Sequence, residues 1–219
     1  MSVKSQIEEL HSSLPEGVKL VAVSKFHPVE AIREAYEAGQ RIFGESRPQE
    51  LVAKQPQLPA DVEWHMIGHL QTNKVKYIAP FVALIHSVDS ERLVTEIDRQ
   101  AARCGRLIDI LFEVHLAQDE SKSGWSECEL REFIGSGALK NYPNVRVRGV
   151  MTIGTLTDDV ELNRAEFRAL RALFEELRPQ FGAEFDTVSM GMTSDYLDAI
   201  ECGSTMVRIG SKIFGERIY

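Results

Sequence analysis

The sequence of 219 residues has few of the features that mark extracellular, membrane or metal-binding proteins. Its three cysteines, Cys104, Cys128 and Cys202, lie far apart and form no Cys-x-x-Cys pair. So few thiols predict neither a disulfide framework nor a cysteine zinc site, and they indicate a reducing compartment. No apolar run reaches membrane-spanning length, and residues 1–16 lack the apolar core of a signal peptide. We therefore expect a cytoplasmic protein.

The chain also lacks a surplus of positive charge. It carries 25 Lys and Arg against 33 Asp and Glu, which gives a formal net charge of −8. Nonspecific binding to nucleic acids needs clustered basic residues, because those residues neutralise phosphates. The composition therefore excludes a general nucleic-acid binder, although a local basic pocket is still allowed.

What the chain does have is a regular alternation of apolar segments with amphipathic segments of helical period. Each apolar segment precedes a predicted helix, and residues 1–17 contain an additional N-terminal helix. This pattern predicts a single (β/α)8 TIM barrel domain over residues 1–219, with the loops after the strands on one face. An open doubly wound sheet would usually show a glycine fingerprint after the first strand, and residues 24–28 contain none. The predicted strands are 18–24, 41–44, 64–68, 81–86, 108–114, 145–153, 185–189 and 205–209.

Lys25 follows the first predicted strand directly, at the end where barrels bind their ligands. Taken alone, a lysine at a strand end is usually a solvated charge. Two later features change that interpretation. Glycine and hydroxyl residues follow strand seven, in the segment 189–195, and strand eight, at Gly210 and Ser211. In barrels this location is a recurrent phosphate site, because amide hydrogens and helix dipoles there favour an anion.

Arg208 lies within the apolar eighth strand, where an arginine is costly unless its guanidinium meets an acceptor. An ion pair with an acidic residue of a neighbouring strand would explain it. However, Arg208, Lys25 and the two loops together have the groups that are needed to bind pyridoxal 5′-phosphate. That cofactor needs a lysine for its aldehyde, a partner for its ring nitrogen and a phosphate site.

These motifs, in this order, resemble the pyridoxal phosphate homeostasis protein family, whose fold is similar to the N-terminal barrel of alanine racemase. The resemblance covers residues 18 to 215, nearly the whole chain. One departure is visible, because Ser46 stands where the family usually has asparagine in a Gly-Glu-Asn motif. The matching segments are 22–25, 43–45, 65–68 with 70–71 and 73–74, 121–124, 148–151, 189–192, 203–210 and 214–215.

The resemblance implies a role in vitamin B6 homeostasis. Lys25 would hold the cofactor as an internal aldimine, and Arg208 would face the pyridine nitrogen. The phosphate would be bound by Ser189, Gly191, Gly210 and Ser211. The protein would buffer the cofactor and deliver it transiently to apo-enzymes, as a monomer or a weak homodimer. Lys122, which belongs to a family motif, is a candidate gate or second binding amine.

Turnover is not expected if Arg208 faces the ring nitrogen, because that nitrogen then accepts a hydrogen bond and stays unprotonated. An unprotonated ring is a weaker electron sink. Alanine racemases also use a tyrosine from a C-terminal domain of the partner subunit, and this chain stops at Tyr219. Two alternatives remain open: an amino-acid racemase of low activity, and a barrel that binds another sugar or nucleotide phosphate.

A metal site is not predicted. His65 and His69 are four residues apart, but Met66 stands where a zinc hydrolase motif needs glutamate. Gly68 also interrupts the helix that such a motif requires.

Overall fold

The computed structural model describes residues 2–117 and 123–215. In this part of the chain, eight parallel strands form a closed barrel in sequential order. The last strand pairs with the first, with Lys19 opposite Met206 and Ala22 opposite Ile209, so the sheet has no free edge. The predicted (β/α)8 fold is confirmed. The strands are β1 (Lys19–Val23), β2 (Ile42–Glu45), β3 (Glu63–Met66), β4 (Leu84–Val88), β5 (Ile108–Glu113), β6 (Val145–Met151), β7 (Thr187–Ser189) and β8 (Met206–Ile209).

Helices connect the strands and surround the barrel. The first precedes β1, as the sequence predicts, and the last follows β8. The helices are α1 (Val3–Ser13), α2 (Val29–Glu37), α3 (Pro48–Lys54), α4 (Val75–Ile78), α5 (Glu91–Cys104), α6 (Glu127–Gly135), α7 (Val160–Leu177), α8 (Tyr196–Glu201) and α9 (Ser211–Phe214). Short 3₁₀ turns occupy Gln55–Gln57, Thr72–Lys74, Ala138–Asn141 and Arg178–Gln180.

Local sequence signals determine several helix ends. Ser126 and Glu129 exchange side-chain and backbone hydrogen bonds, which makes a capping box at the start of α6. Asp159 accepts hydrogen bonds from two backbone amides in the first turn of α7. At its other end α5 stops at Gly105, whose φ of 63° lies in the left-handed region that favours glycine.

The fourth strand begins later than the sequence predicts. The prediction covers residues 81–86, but β4 spans Leu84–Val88. The amides of Phe81 and Val82 both donate to the carbonyl of Ile78, so this segment continues the turn at the end of α4. An apolar run alone does not distinguish a helix end from the start of a strand.

Two apolar regions position the site. One lies between the strands and the helices, and it includes Ile7 and Leu10 of α1, which are fully buried. The other is a small cluster of inward-facing side chains inside the barrel, formed by Val21, Ile67, Leu84, Leu111, Met151 and Met206.

Among the described residues, no helix combines the length and the apolar character needed to cross a membrane.

Candidate functional site

A cavity of about 500 Å³ lies at the carboxyl ends of the strands. It brings together four of the predicted site residues, namely Lys25, Arg208, Gly210 and Ser211. Ser46, the departure from the family motif, also belongs to its wall. The remaining lining residues are Val23, Ile67, Gly68, Ile153, Met192, Thr193 and Ser194.

Lys25 stands in a tight turn directly after β1. The amide of Ser24 donates to the carbonyl of Gly44 on β2, and the amide of His27 donates back to the carbonyl of Ser24. Phe26 has a φ of 68°, which is uncommon for a residue other than glycine. Backbone strain of this kind persists only where the surroundings enforce it.

A buried ionic cluster provides that enforcement. The Nζ of Lys54 lies 2.8 Å from Oε1 of Glu45 and 3.0 Å from Oε2 of Glu50. It also donates to the carbonyl of Ser24 at 3.0 Å, and the Ser24 hydroxyl donates to Glu45 at 2.7 Å. Oε2 of Glu50 accepts the amide hydrogen of Phe26 at 2.8 Å. The cluster thus holds the residues on both sides of Lys25, and we call it the Lys54 cluster.

The two carboxylates of the Lys54 cluster differ in pKa. Burial raises the pKa of Glu45, although Lys54 opposes that shift. Burial also acts on Glu50, but the Phe26 amide and Lys54 outweigh it and lower the pKa of Glu50. Glu50 is therefore the carboxylate that stays charged more readily, and it accepts the hydrogen bond from the Phe26 amide.

Arg208 enters the cavity from β8 and is only 5% exposed. Its Nη1 donates to the Ser189 hydroxyl at 2.7 Å, and its Nη2 donates to the carbonyl of Thr152 at 2.9 Å. Both partners are neutral. Burial lowers the pKa of Arg208 to about 10, against the opposing charges of Asp195 and Glu113, so the guanidinium is still charged at neutral pH. The ion pair considered for this arginine is not among the contacts of the described residues.

Ser189 and Gly191 are not among the residues that line the cavity. The Ser189 hydroxyl is fully buried between Arg208 and Nδ1 of His86, which is 3.1 Å away. The carbonyl of Gly191 accepts the amide hydrogen of Arg208 at 3.0 Å. Gly191 has a φ of 93°, and a Cβ there would lie 2.6 Å from that of Ala199. Both residues contact Arg208 and help to position it, and their predicted contact with the phosphate stays a prediction.

The chain of hydrogen bonds continues through the barrel interior, because Nε2 of His86 lies 2.9 Å from Nδ1 of His65. A bond between two ring nitrogens requires one of them to be an unprotonated acceptor. Burial lowers the pKa of His65 to about 3 and that of His86 well below its usual value. Arg208 is therefore hydrogen-bonded to a chain of neutral side chains, Ser189, His86 and His65, which we call the neutral chain.

Two loops meet at the other side of the cavity. The Thr193 hydroxyl accepts the amide hydrogen of Gly210 at 3.2 Å, which joins the loop after β7 to the loop after β8. Asp195 accepts the amide hydrogen of Met192 at 2.5 Å and shapes the first loop. The side chains of Thr193, Ser194 and Ser211 line the cavity here. Sequence reasoning placed a phosphate site in these loops but did not single out Thr193.

The other sequence candidates lie elsewhere. His65 belongs to the neutral chain, whereas His69 is exposed and lies 3.2 Å from Asp89. Residues 2–117 and 123–215 contain no group of three or more His, Cys, Asp or Glu side chains placed to hold a metal ion. Lys122 lies outside the described residues, so its proposed role stays a prediction.

Comparison with known proteins identifies the family. The family described as "Alanine racemase, N-terminal domain" matches residues 2–218. This chain belongs to that family. A pyridoxal phosphate homeostasis protein of Aquifex aeolicus is 43% identical over 202 residues, which cover 92% of this chain and 88% of the relative. That of Vibrio alginolyticus is 39% identical, over 100% of this chain and 99% of the relative.

Solved structures agree with this assignment. PipY of Synechococcus elongatus, whose structure is described as having PLP bound, has a TM-score of 0.90 and 39% identity, over 98% of this chain and 100% of PipY. Alanine racemase of E. faecalis has a TM-score of 0.76 at 15% identity, and only 57% of that enzyme is covered. The likeness to the racemase therefore concerns the fold alone.

Proposed function

We propose that this chain binds pyridoxal 5′-phosphate covalently at Lys25, holds it and passes it on, without classical turnover. The observation that carries the proposal is the single cavity in which Lys25, Arg208 and the loop hydroxyls meet. The names of the homologous homeostasis proteins and the PLP-bound state of PipY support it. The racemase alternative has support only from distant structures, at the level of the fold.

The residues of the cavity fit the chemistry of this cofactor. A lysine amine suits its aldehyde, and the hydroxyl and amide donors of the loops suit its phosphate. A buried guanidinium with neutral partners remains a charged donor that suits its ring nitrogen. When bound, the cofactor supplies an aldehyde carbon that forms a reversible bond with a lysine amine.

Each residue then has a defined task. The amine of Lys25 forms the bond, and the Lys54 cluster keeps Lys25 at the cavity wall. Arg208 would donate a hydrogen bond to the ring nitrogen of the bound cofactor, which would keep that nitrogen unprotonated and limit carbanion chemistry. The phosphate would be held at the two loops by Thr193, Ser194, Gly210 and Ser211, which line the cavity, together with the predicted Ser189 and Gly191 beside Arg208.

In the cell, we propose, the protein acts in the cytoplasm as a monomer or a weak homodimer. The receiving molecules are apo-enzymes that need this cofactor, which bind it only transiently during the transfer. The low cysteine content supports the reducing compartment.

Absorbance spectroscopy tests the covalent attachment. After incubation with pyridoxal 5′-phosphate and gel filtration, the wild-type protein should keep a visible absorbance band. Lys25→Ala should lose the band completely, because no amine is left at that place in the cavity. The matched control is Lys76→Ala, since Lys76 is an exposed lysine on α4. A wild-type protein without the band, or a Lys25→Ala variant that keeps it, would contradict the proposal.

A further inference from the structure

A second cavity, of about 220 Å³, opens at the barrel mouth beside the first. Ile153 belongs to the walls of both cavities, so the two are neighbours. The polar residues that line this second cavity are Glu113 at the end of β5, His69 after β3, and His115 and Ser123 in the segment after β5. None of these residues has a task in the proposed function.

Glu113 is the unusual member of this set. It lines the cavity, yet the residue is only 5% exposed. Its Oε2 is buried and has no hydrogen-bond partner among the residues that the structure describes. Burial, and next the charge of Asp89, raise the pKa of Glu113 to about 7, while Arg208 opposes this. An unpartnered buried oxygen is costly to keep, which points to a ligand that forms a hydrogen bond with it.

The charges around Glu113 define the class of that ligand. Asp89 adds negative charge and pairs with His69 at 3.2 Å, and the wall also includes His115. Arg208 on β8 acts on Glu113 from the first cavity. Two carboxylates disfavour an anion, and an ionised carboxylate is only an acceptor. A primary ammonium group offers three donors on one compact charge, so it suits a small space of this kind.

We propose that Glu113 binds the primary ammonium group of an amine that takes the cofactor from Lys25. This inference rests on the proposed function, because it needs a cofactor in the neighbouring cavity. Only an unprotonated amine has the lone pair needed for attack, so the ammonium group must first lose a proton, and the Glu113 carboxylate accepts it.

In the exchange, the double bond between the aldehyde carbon and Nζ of Lys25 would be replaced by a double bond between that carbon and the incoming nitrogen. The two hydrogens left on the incoming nitrogen pass to Nζ, and Glu113 returns the third. Lys25 therefore leaves as an ammonium group. No oxidant or reductant is needed, and no charge is gained or lost.

Carboxyl NMR of the unloaded wild-type protein tests the binding step without any cofactor chemistry. The Glu113 signal is assigned by its absence in Glu113→Gln. Ethylammonium chloride should lower the pKa of Glu113 relative to an equal concentration of sodium chloride, because a bound cation favours the carboxylate. An identical titration in both salts would overturn the inference.

Exchange kinetics of the loaded protein test the proton transfer. When ethylamine is added near neutral pH, the Lys25-dependent absorbance band should disappear about 100-fold more slowly in Glu113→Gln than in the wild-type protein. The initial cofactor content of the two proteins should be the same. The matched control is Glu166→Gln. Glu166 is 6% exposed, but both of its oxygens already accept hydrogen bonds from Thr155. This control should exchange at the wild-type rate.

The pH profile separates a base from a merely structural group. In the wild type the rate should rise as Glu113 ionises around pH 7 and then level off. In Glu113→Gln it should keep rising up to the pKa of the amine, because only free amine reacts. Equal rates and profiles in the two proteins, with the band present, would overturn this inference and leave the proposed function standing. A missing band in the wild type would instead overturn the proposed function.

The amine can be a free metabolite or the lysine side chain of a receiving protein. Ethylamine and Nα-acetyl-lysine amide represent the two sources in parallel experiments. A Glu113-dependent rate with either amine supports the inference, and the faster one identifies the source. Glu113-independent rates with both would contradict it.

Discussion

The two basic residues of the Lys25 cavity are held in opposite ways. On one side, the Lys54 cluster fixes the turn around Lys25 with charges, since Lys54 contacts two carboxylates within 3.0 Å. On the other side, Arg208 is held by a hydroxyl and a carbonyl, behind which two neutral imidazoles complete the neutral chain.

This difference has a functional consequence. The charge of Lys54 is balanced by its own carboxylates, so Lys54 serves as a structural support of Lys25. Within the described part of the chain, Arg208 has no direct ion pair, so its guanidinium stays available as a charged hydrogen-bond donor for the cofactor. A buried cation with neutral partners costs stability, and such groups are common at binding sites.

Breaking the ionic side should have the largest effect on stability. Lys54→Met removes the cation and leaves Glu45 buried with no opposite charge. We expect the free energy of unfolding, measured by urea denaturation, to fall by about 3–5 kcal/mol. The exposed Lys76→Met on α4 is the matched control and should change it by less than about 0.5 kcal/mol.

The double variant Lys54→Met with Glu45→Gln removes the uncompensated charge. It should recover much of the lost stability, because the fully buried carboxylate is replaced by a neutral amide, and the remaining partner, Glu50, is only half-buried. Lys54→Met with near wild-type stability would contradict the account of the ionic side.

Shortening the neutral chain should have a smaller effect on stability and a specific effect on binding. Ser189→Ala removes the hydroxyl between Arg208 and His86, at an expected cost of about 1–3 kcal/mol. Because Arg208 loses an anchor, the dissociation constant for pyridoxal 5′-phosphate should rise roughly tenfold, or about 1.4 kcal/mol.

Ser204→Ala is the matched control for that change. Ser204 is also a buried serine next to β8, and its hydroxyl donates to the carbonyl of Met190 and not to Arg208. It should lose stability but keep the cofactor affinity of the wild type. Equal losses of affinity in the two variants would show that the neutral chain does not position Arg208.

The barrel and the positions of Lys25 and Arg208 can be predicted from the regular alternation of apolar and amphipathic segments in the sequence. Apolar segments at regular intervals indicate strands, and a barrel brings all strand ends to one face. Lys25 and Arg208 therefore had to lie near the same mouth. The loop after β8 follows the same logic, and Gly210 and Ser211 line the cavity.

The supporting groups could not be predicted, because their roles depend on contacts between distant segments. Lys54 looks like an ordinary surface lysine of a helix, and only the packing of α3 against β2 and β3 brings it to Glu45. His86 and Glu113 lie in apolar strands with no motif around them. Whether Ser189 faces the cavity or Arg208 depends on where the end of a short strand lies, and strand ends are poorly defined by sequence.

The central claim is that Lys25 is the residue that carries the cofactor. The most direct measurement is to load the protein with pyridoxal 5′-phosphate, reduce the carbon–nitrogen bond with borohydride and map the modified peptide by mass spectrometry. The account predicts one cofactor adduct, on Lys25, which disappears in Lys25→Ala. An adduct on another lysine with Lys25 unmodified, or no adduct at all, would contradict it.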